Sequence, residues 1–411
     1  MIPMASTLSL YAGLPRAIYI LSIARAIASA GSFIFPMLTL ILTQKMGFSV
    51  QNTGIIVFLS SVSYIPGSLI GGKLADTFGR KPVMVVAEFI AALALFTCGF
   101  FADSPYILPL IFIAFTCLGA FDPAYKAMLT DIATPDIRKA VFSLSYLGHN
   151  LGVAVGPLIA GMLFLNHADW MFWGDGLTTF VAIILIVFLV KEGLPQQATD
   201  GSDQLEESES GPLWPVLRKR PNLIIFTLAQ LFLAFSYAQL FFSLPLYFAE
   251  LFGDRGPVLY GWTMSINAAF VLVATPFVIA YTKQIHAIYN VAIAGILYAI
   301  GFGMIYWIAG FEWFVVSTLI WTTGEILSVT NHEVYIASHS PRSHRGRINS
   351  VLPLIVGMSW SLSPILMGQF IGTWGIHYVW PFILVLSLIG AILLTGLGRF
   401  EHLFLKKQFK S

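Results

Sequence analysis

Residues 71–82 read GGKLADTFGRKP, from Gly71 to Pro82, and separate two apolar runs that are each long enough to cross a bilayer. Gly72 and Gly79 let backbones approach closely, and Asp76 sits among Lys73, Arg80 and Lys81. In a soluble chain this would be an ordinary turn. Between two hydrophobic spans its positive charge marks it as a cytoplasmic loop, because Lys and Arg are retained on the inner side of a membrane.

The composition agrees with that reading. Of 411 residues, 57% are hydrophobic and 10% are charged, against about 25% charged in a typical soluble domain. The expected class is an all-α polytopic membrane protein, not a soluble core and not an enzyme. A net charge of +2 is too small to suggest a nucleic-acid partner. Cys98 and Cys117 both lie in apolar spans and read as small buried residues. Met1 to Leu14 lacks the basic start of a cleavable signal peptide. His149, His332, His339 and His344 share no metal-ligand spacing, and no Gly-rich phosphate loop with its Lys-Ser/Thr is present. Neither a metal nor another cofactor is expected, and ATP is not the expected energy source.

A spanning helix needs about 20 mostly apolar residues. Twelve runs qualify: 15–43, 53–74, 82–102, 105–131, 141–165, 170–190, 222–248, 258–282, 286–309, 313–338, 348–372 and 377–398. With the N-terminus inside, eighteen Lys and Arg residues fall in inner loops, only Lys45 and Arg255 fall outside, and Arg25 and Lys126 lie within the membrane. That bias puts both termini in the cytoplasm. Residues 192–213, EGLPQQATDGSDQLEESESGPL, are acidic and polar and read as a flexible cytoplasmic linker. The linker divides a six-helix bundle over 1–191 from a second over 214–411. The halves repeat in parallel. Pro135 precedes Pro157 by 22 residues and Pro341 precedes Pro364 by 23, and a glycine follows each pair, Gly161 and Gly368.

The pattern Gly72-x3-Asp76-x2-Gly79-Arg80-Lys81 resembles the loop 2–3 signature of the major facilitator superfamily, with Thr77 where a basic residue is usual. Helix 5 reads NLGVAVGPLIAG from Asn150, and its Gly152, Gly156, Pro157 and Gly161 resemble the helix-5 signature found mainly in antiporters of that superfamily. The resemblance covers nearly the whole chain and is greatest to the twelve-helix drug:proton antiporters. It implies alternating access between two six-helix bundles, with helices 1, 4, 7 and 10 lining the cavity. It also implies that Asp131 and Arg138 join Asp76, Arg80 and Lys81 in a charge network that closes the cytoplasmic side. Two positions depart from the antiporter pattern: Phe115 stands where a helix-4 arginine is expected, and Ser145 where some relatives are acidic.

Ionisable groups at membrane depth are costly and need an account. Arg25 lies in helix 1. Asp122 and Lys126, four residues apart, share one face of helix 4. Glu325, His332 and Glu333 lie in helix 10, and Glu325 follows Gly324, where some drug:proton antiporters carry a coupling glutamate. Glu325 and Asp122 are the expected proton-coupling acids. Arg25, Lys126, His332 and Glu333 complete the cavity charge. Asp122 has two candidate partners, Lys126 on its own helix and Arg25 across from it. Glu88, in a helix that the resemblance makes peripheral, reads as structural. Tyr64, Gln230, Tyr237, Asn267, Trp321 and Asn331 are the candidate substrate contacts, and a 14% aromatic content suits a hydrophobic or cationic substrate.

The expectation is a monomeric secondary transporter of the cytoplasmic (inner) membrane, in contact with membrane lipids and driven by the proton gradient. It would export amphipathic or hydrophobic small molecules. Two alternatives stand beside it: a proton-coupled symporter importing a peptide, sugar or organic anion, and a receptor on the same fold that transports nothing.

Overall fold

The structure is a computed structural model, which describes residues 11–134, 136–191, 213–340 and 345–408. The expected linker, 192–213, lies outside the described residues except for its last position. Among the described residues the regular structure is helical, and membrane-length helices account for most of it.

Each of the first six spans is a single crossing, but two of them are broken. The span α1 covers Arg16–Lys45. It runs as a helix over Arg16–Ala30, is interrupted at Gly31 to Phe33, and resumes at Ile34–Leu40 before a π-helical turn at Ile41–Lys45. The span α2, Val50–Phe78, starts on a Ser49 cap that accepts the Asn52 N–H at 3.2 Å. It meets α3, Arg80–Phe101, through Gly79. Gly79 has φ 96°, a conformation that side chains disfavour, so this position of the opening motif requires glycine. The span α4, Ile107–Ile132, is continuous. The span α5 is split into Arg138–Val153 and Gly156–Phe164, because Pro157 cannot donate to the fourth carbonyl behind it. The span α6 is Ala168–Leu189.

After a short turn of helix at Leu213–Arg218, the apolar run Pro221–Thr282 is 62 residues long. A straight helix of that length would reach about 90 Å, three times a bilayer core. It folds as α7, Pro221–Ala238 resuming at Ser243–Phe252, and α8, Gly256–Thr282, with a turn at Gly253 (φ 54°) between them. Then come α9 (Ala287–Gly303), α10 (Phe311–His339), α11 (Arg345–Trp374) and α12 (Val379–Gln408).

The contacts divide the chain into two units, Met1–Gln197 with Phe248–Leu272, and Ala198–Tyr247 with Val273–Ser411. The first unit has a core of Leu21 and Ala24 on α1, Phe121, Ala124 and Tyr125 on α4, Val141 on α5 and Ile186 on α6. Many of its large exposed side chains, such as Leu69, Phe78 and Phe188, are apolar. Helices apolar on every side belong in lipid, where association comes from close packing and not from exclusion of water.

Candidate functional site

In the first unit two cations and a tyrosine converge on one carboxylate. Asp122 on α4 receives Lys126 Nζ at 3.2 Å from its own helix and Arg25 Nη2 at 3.7 Å from α1. Tyr64 of α2 adds a hydrogen bond to the same carboxylate. Both candidate partners of Asp122 are therefore engaged together. The Arg25 guanidinium also lies over the Tyr125 ring, 5.6 Å from its centroid. The Tyr125 hydroxyl is held in turn by Ser145 Oγ at 2.8 Å and donates to the Leu21 carbonyl at 3.5 Å. Ser145, acidic in some relatives, here fixes the ring beneath Arg25. The side chains of Arg25 and Asp122 are about three-quarters covered (28% and 23% exposed), whereas Lys126 is 66% exposed.

The opening motif forms a second cluster at the α2–α3 junction. Arg80 bridges two carboxylates, with Nη1 2.8 Å from Asp76 and Nε 3.1 Å from Asp131 at the end of α4. It also donates to the Ala75 carbonyl at 2.6 Å. The other two basic members of the expected network are Lys81 and Arg138. Lys81 Nζ donates to the carbonyls of Val187 and Val190 at 2.9 and 2.7 Å, where the unsatisfied C-terminus of α6 attracts a cation. Arg138 is exposed at the start of α5, and among the described residues no ion pair includes it. Gly72 is half-buried near Pro123.

The helix-5 motif uses its glycines in two directions. Gly148, Gly152 and Gly156 press on α1: a Cβ at Gly152 would stand 2.4 Å from the Ala26 carbonyl oxygen, and one at Gly156 3.0 Å from that of Ala30. Beyond the Pro157 break the contact passes to α8. A Cβ on Gly161 would meet the Pro257 carbonyl oxygen at 2.5 Å, and a Cβ on Gly261 would meet that of Pro157 at 2.4 Å. Matched glycines on α5 and α8 explain why Phe248–Leu272 groups with the first unit. Asn267, a candidate contact on α8, is buried there.

In the second unit Glu325 lies on α10, half-buried, one turn beyond Trp321 and within electrostatic reach of Tyr298 on α9. Tyr298 belongs to an aromatic group. Tyr237 of α7 stacks on Tyr298 (5.9 Å between centroids) and meets Trp321 at 6.2 Å and Trp360 of α11 at 5.5 Å. Trp321 is fully buried. It stacks on Phe302 at 5.4 Å and fills the space over Gly301, so it supports Tyr237 from behind and is not itself a surface for substrate.

Gln230 and His332 hold each other at 2.6 Å, and Asn331 accepts from Asn290 at 3.0 Å. Both are interhelical locks. Glu333 is exposed.

Two groups escaped the reading of the sequence. Asp175 of α6 is buried and accepts the N–H groups of Phe33 and Ile34 at 3.2 and 3.3 Å, satisfying the helix start that the break in α1 creates. Thr178 fills the space over Gly31. The signal was present as one acid inside an otherwise apolar span. Glu401 of α12 accepts from Tyr335 (2.6 Å) and Asn222 (3.2 Å) and lies 3.5 Å from His339 Nε2, tying together the ends of α7, α10 and α12.

A profile described as Major Facilitator Superfamily matches residues 21–331. The chain belongs to this superfamily. A Na(+), Li(+), K(+)/H(+) antiporter of Planococcus maritimus is 22% identical over 85% of the chain and 91% of that protein. Multidrug resistance protein MdtH of Proteus mirabilis is 28% identical over 40% of the chain and 42% of that protein. Among solved structures, an auto inhibited POT family peptide transporter superposes with a TM-score of 0.77 at 14% identity, covering 94% of this chain and 97% of that one. At such identity the likeness is one of fold. This superfamily member is thus a multi-pass membrane transporter, and its relatives handle small solutes.

Proposed function

We propose that the chain is a proton-coupled antiporter that exports amphipathic small molecules, cationic ones foremost, by alternating access. The observation that carries this reading is the half-buried Glu325, within electrostatic reach of Tyr298, whose ring stacks on Tyr237 in a group that also holds Trp360. Ring faces and a carboxylate together suit a lipophilic cation. A carboxyl at membrane depth is also a proton carrier if it opens to each side in turn, so proton and cation compete for one group. Asp122, clamped by Arg25 and Lys126, is the second coupling acid. The glycine contacts of α5 and the antiporter and multidrug relatives favour export.

In this reading the protein needs no cofactor, acts as a monomer in the inner membrane, and keeps both termini in the cytoplasm, as the Lys and Arg distribution favours. The Asp76–Arg80–Asp131 cluster is a cytoplasmic gate that breaks when the inside opens. Import of a peptide, sugar or organic anion with protons is the second reading, favoured by Arg25 and Lys126 as cations on membrane-spanning helices. Proteoliposomes with an imposed pH gradient separate the two: a lipophilic cation moving against the proton supports export, and a dipeptide moving with it supports import.

A further inference from the structure

The cluster at the ends of α7, α10 and α12 contains a pair whose attraction depends on a proton. His339, the last residue of α10, presents its two ring nitrogens to different oxygens. Nδ1 lies 2.9 Å from the Tyr335 carbonyl, one helical turn back, and 3.0 Å from Ser338 Oγ. A carbonyl oxygen only accepts, so Nδ1 carries a hydrogen. Nε2 lies 3.5 Å from Glu401 Oε1 of α12. A neutral ring with its hydrogen on Nδ1 would turn a lone pair towards that carboxylate. Only the imidazolium, a donor at both nitrogens, suits both neighbours.

The ring is held in this orientation. It stacks on Tyr335 with 4.1 Å between centroids, and Tyr335 stacks in turn on Phe226 of α7 at 4.0 Å. The Tyr335 hydroxyl and Asn222 Nδ2 donate to Glu401 Oε1 at 2.6 and 3.2 Å. With His339, three donors face one oxygen, as suits a carboxylate. Arg220 of α7 donates to the His339 carbonyl at 2.7 Å, so it binds the main chain at a helix end that attracts cations. The other charged and titratable groups nearby are Lys283 and His286 ahead of α9, Glu333 of α10, and Arg399 and His402 of α12. All five are exposed, and among the described residues no ion pair includes them.

We propose that His339 and Glu401 form a pH-operated clasp between α10 and α12. As pH falls, Nε2 takes a proton from water, an N–H bond forms, and the imidazolium pairs with the Glu401 carboxylate. As pH rises, that bond breaks, the proton returns to water and the pair dissolves. The hydrogen bonds of Tyr335 and Asn222 to Glu401 remain in both states. Histidine makes this change between about pH 5 and 8. The clasp lies on the helix that carries Glu325, yet it requires no role of Glu325 in transport.

The test uses the full-length chain in detergent, without substrate or gradient, so its failure is separate from a failure of the antiport reading. Thermal unfolding of the wild type is compared with that of Glu401→Gln, which keeps an acceptor for Tyr335 and Asn222 but loses the charge. At about pH 5.5 the wild type is expected to melt about 1–2 °C higher, the shift that a partly exposed ion pair gives in a chain of this size. The gap closes as the pH is raised to about 8, the sign required of a pair that needs the proton. In a His339→Gln background the same change at 401 gives no gap that varies with pH. If Glu401→Gln does not fold, His339→Gln compared with the wild type takes its place and shows the same closing gap. A gap that is equal at both pH values, absent at both, or wider at the higher pH overturns the proposal, as does a pH-dependent gap that survives in the His339→Gln background. A merely structural Glu401 gives the first of these results.

Discussion

Asp122 holds Arg25 and Lys126 at the same time, at 3.7 and 3.2 Å, from two helices. The two cations are not equivalent, since Lys126 is mostly exposed and Arg25 mostly covered. Lys126→Ala should cost under about 1 kcal/mol, as exposed pairs do. Arg25→Ala leaves a covered carboxylate short of its partner and should cost about 1–3 kcal/mol, the partial exposure discounted. Thermal unfolding in detergent orders the two; equal shifts would mean that Arg25 contributes no more than a surface charge.

Arg80 should depend more on Asp131 than on Asp76. Asp131 is largely covered, whereas Asp76 is three-quarters exposed. Asp131→Asn is expected to lower the melting temperature and to raise the accessibility of cysteine probes near the α2–α3 junction. Asp76→Asn should do both to a smaller degree, with a stability cost under about 1 kcal/mol. The reverse order would remove Asp131 from the cluster.

Glycine at 152 is required by space. A Cβ there meets backbone at 2.4 Å, whereas the same addition at Gly156 meets it at 3.0 Å. Gly152→Ala should therefore destabilise by about 1–3 kcal/mol, in the range of overpacked cores, and Gly156→Ala by less. Folded yield and melting temperature measure this, and a fully stable Gly152→Ala would contradict the α1–α5 contact.

Asp175→Leu strands the N–H groups of Phe33 and Ile34 at the break in α1. The expected cost is about 1–3 kcal/mol, that of buried donors left without acceptors. Asp175→Asn keeps an acceptor and should recover most of it. If both variants melt alike, the carboxylate is not the cap of the broken helix.

The twelve spans were legible because length and apolar run decide them, and the 62-residue run divided near where the sequence placed its seventh and eighth helices. Spacing along one helix also gave the Asp122–Lys126 pair. What a single helix cannot reveal is which neighbour its face meets. Hence the contact of the Lys81 ammonium with the end of α6, and the packing of Trp321 on Phe302 and Gly301, were not legible. Asp175 was passed over because its partners are backbone groups exposed by a helix break, which hydropathy does not display.

The central claim is that Glu325 exchanges protons for an amphipathic cation. The most direct measurement is uptake of a lipophilic cation into proteoliposomes under an imposed pH gradient, wild type against Glu325→Gln, with equilibrium binding of the same cation followed in detergent. The account predicts wild-type movement opposite to the proton, a loss of about a hundredfold or more in gradient-driven transport for Glu325→Gln, as when an essential proton-transfer group is removed, and binding that remains measurable. Gradient-driven transport at the wild-type rate in Glu325→Gln would contradict it.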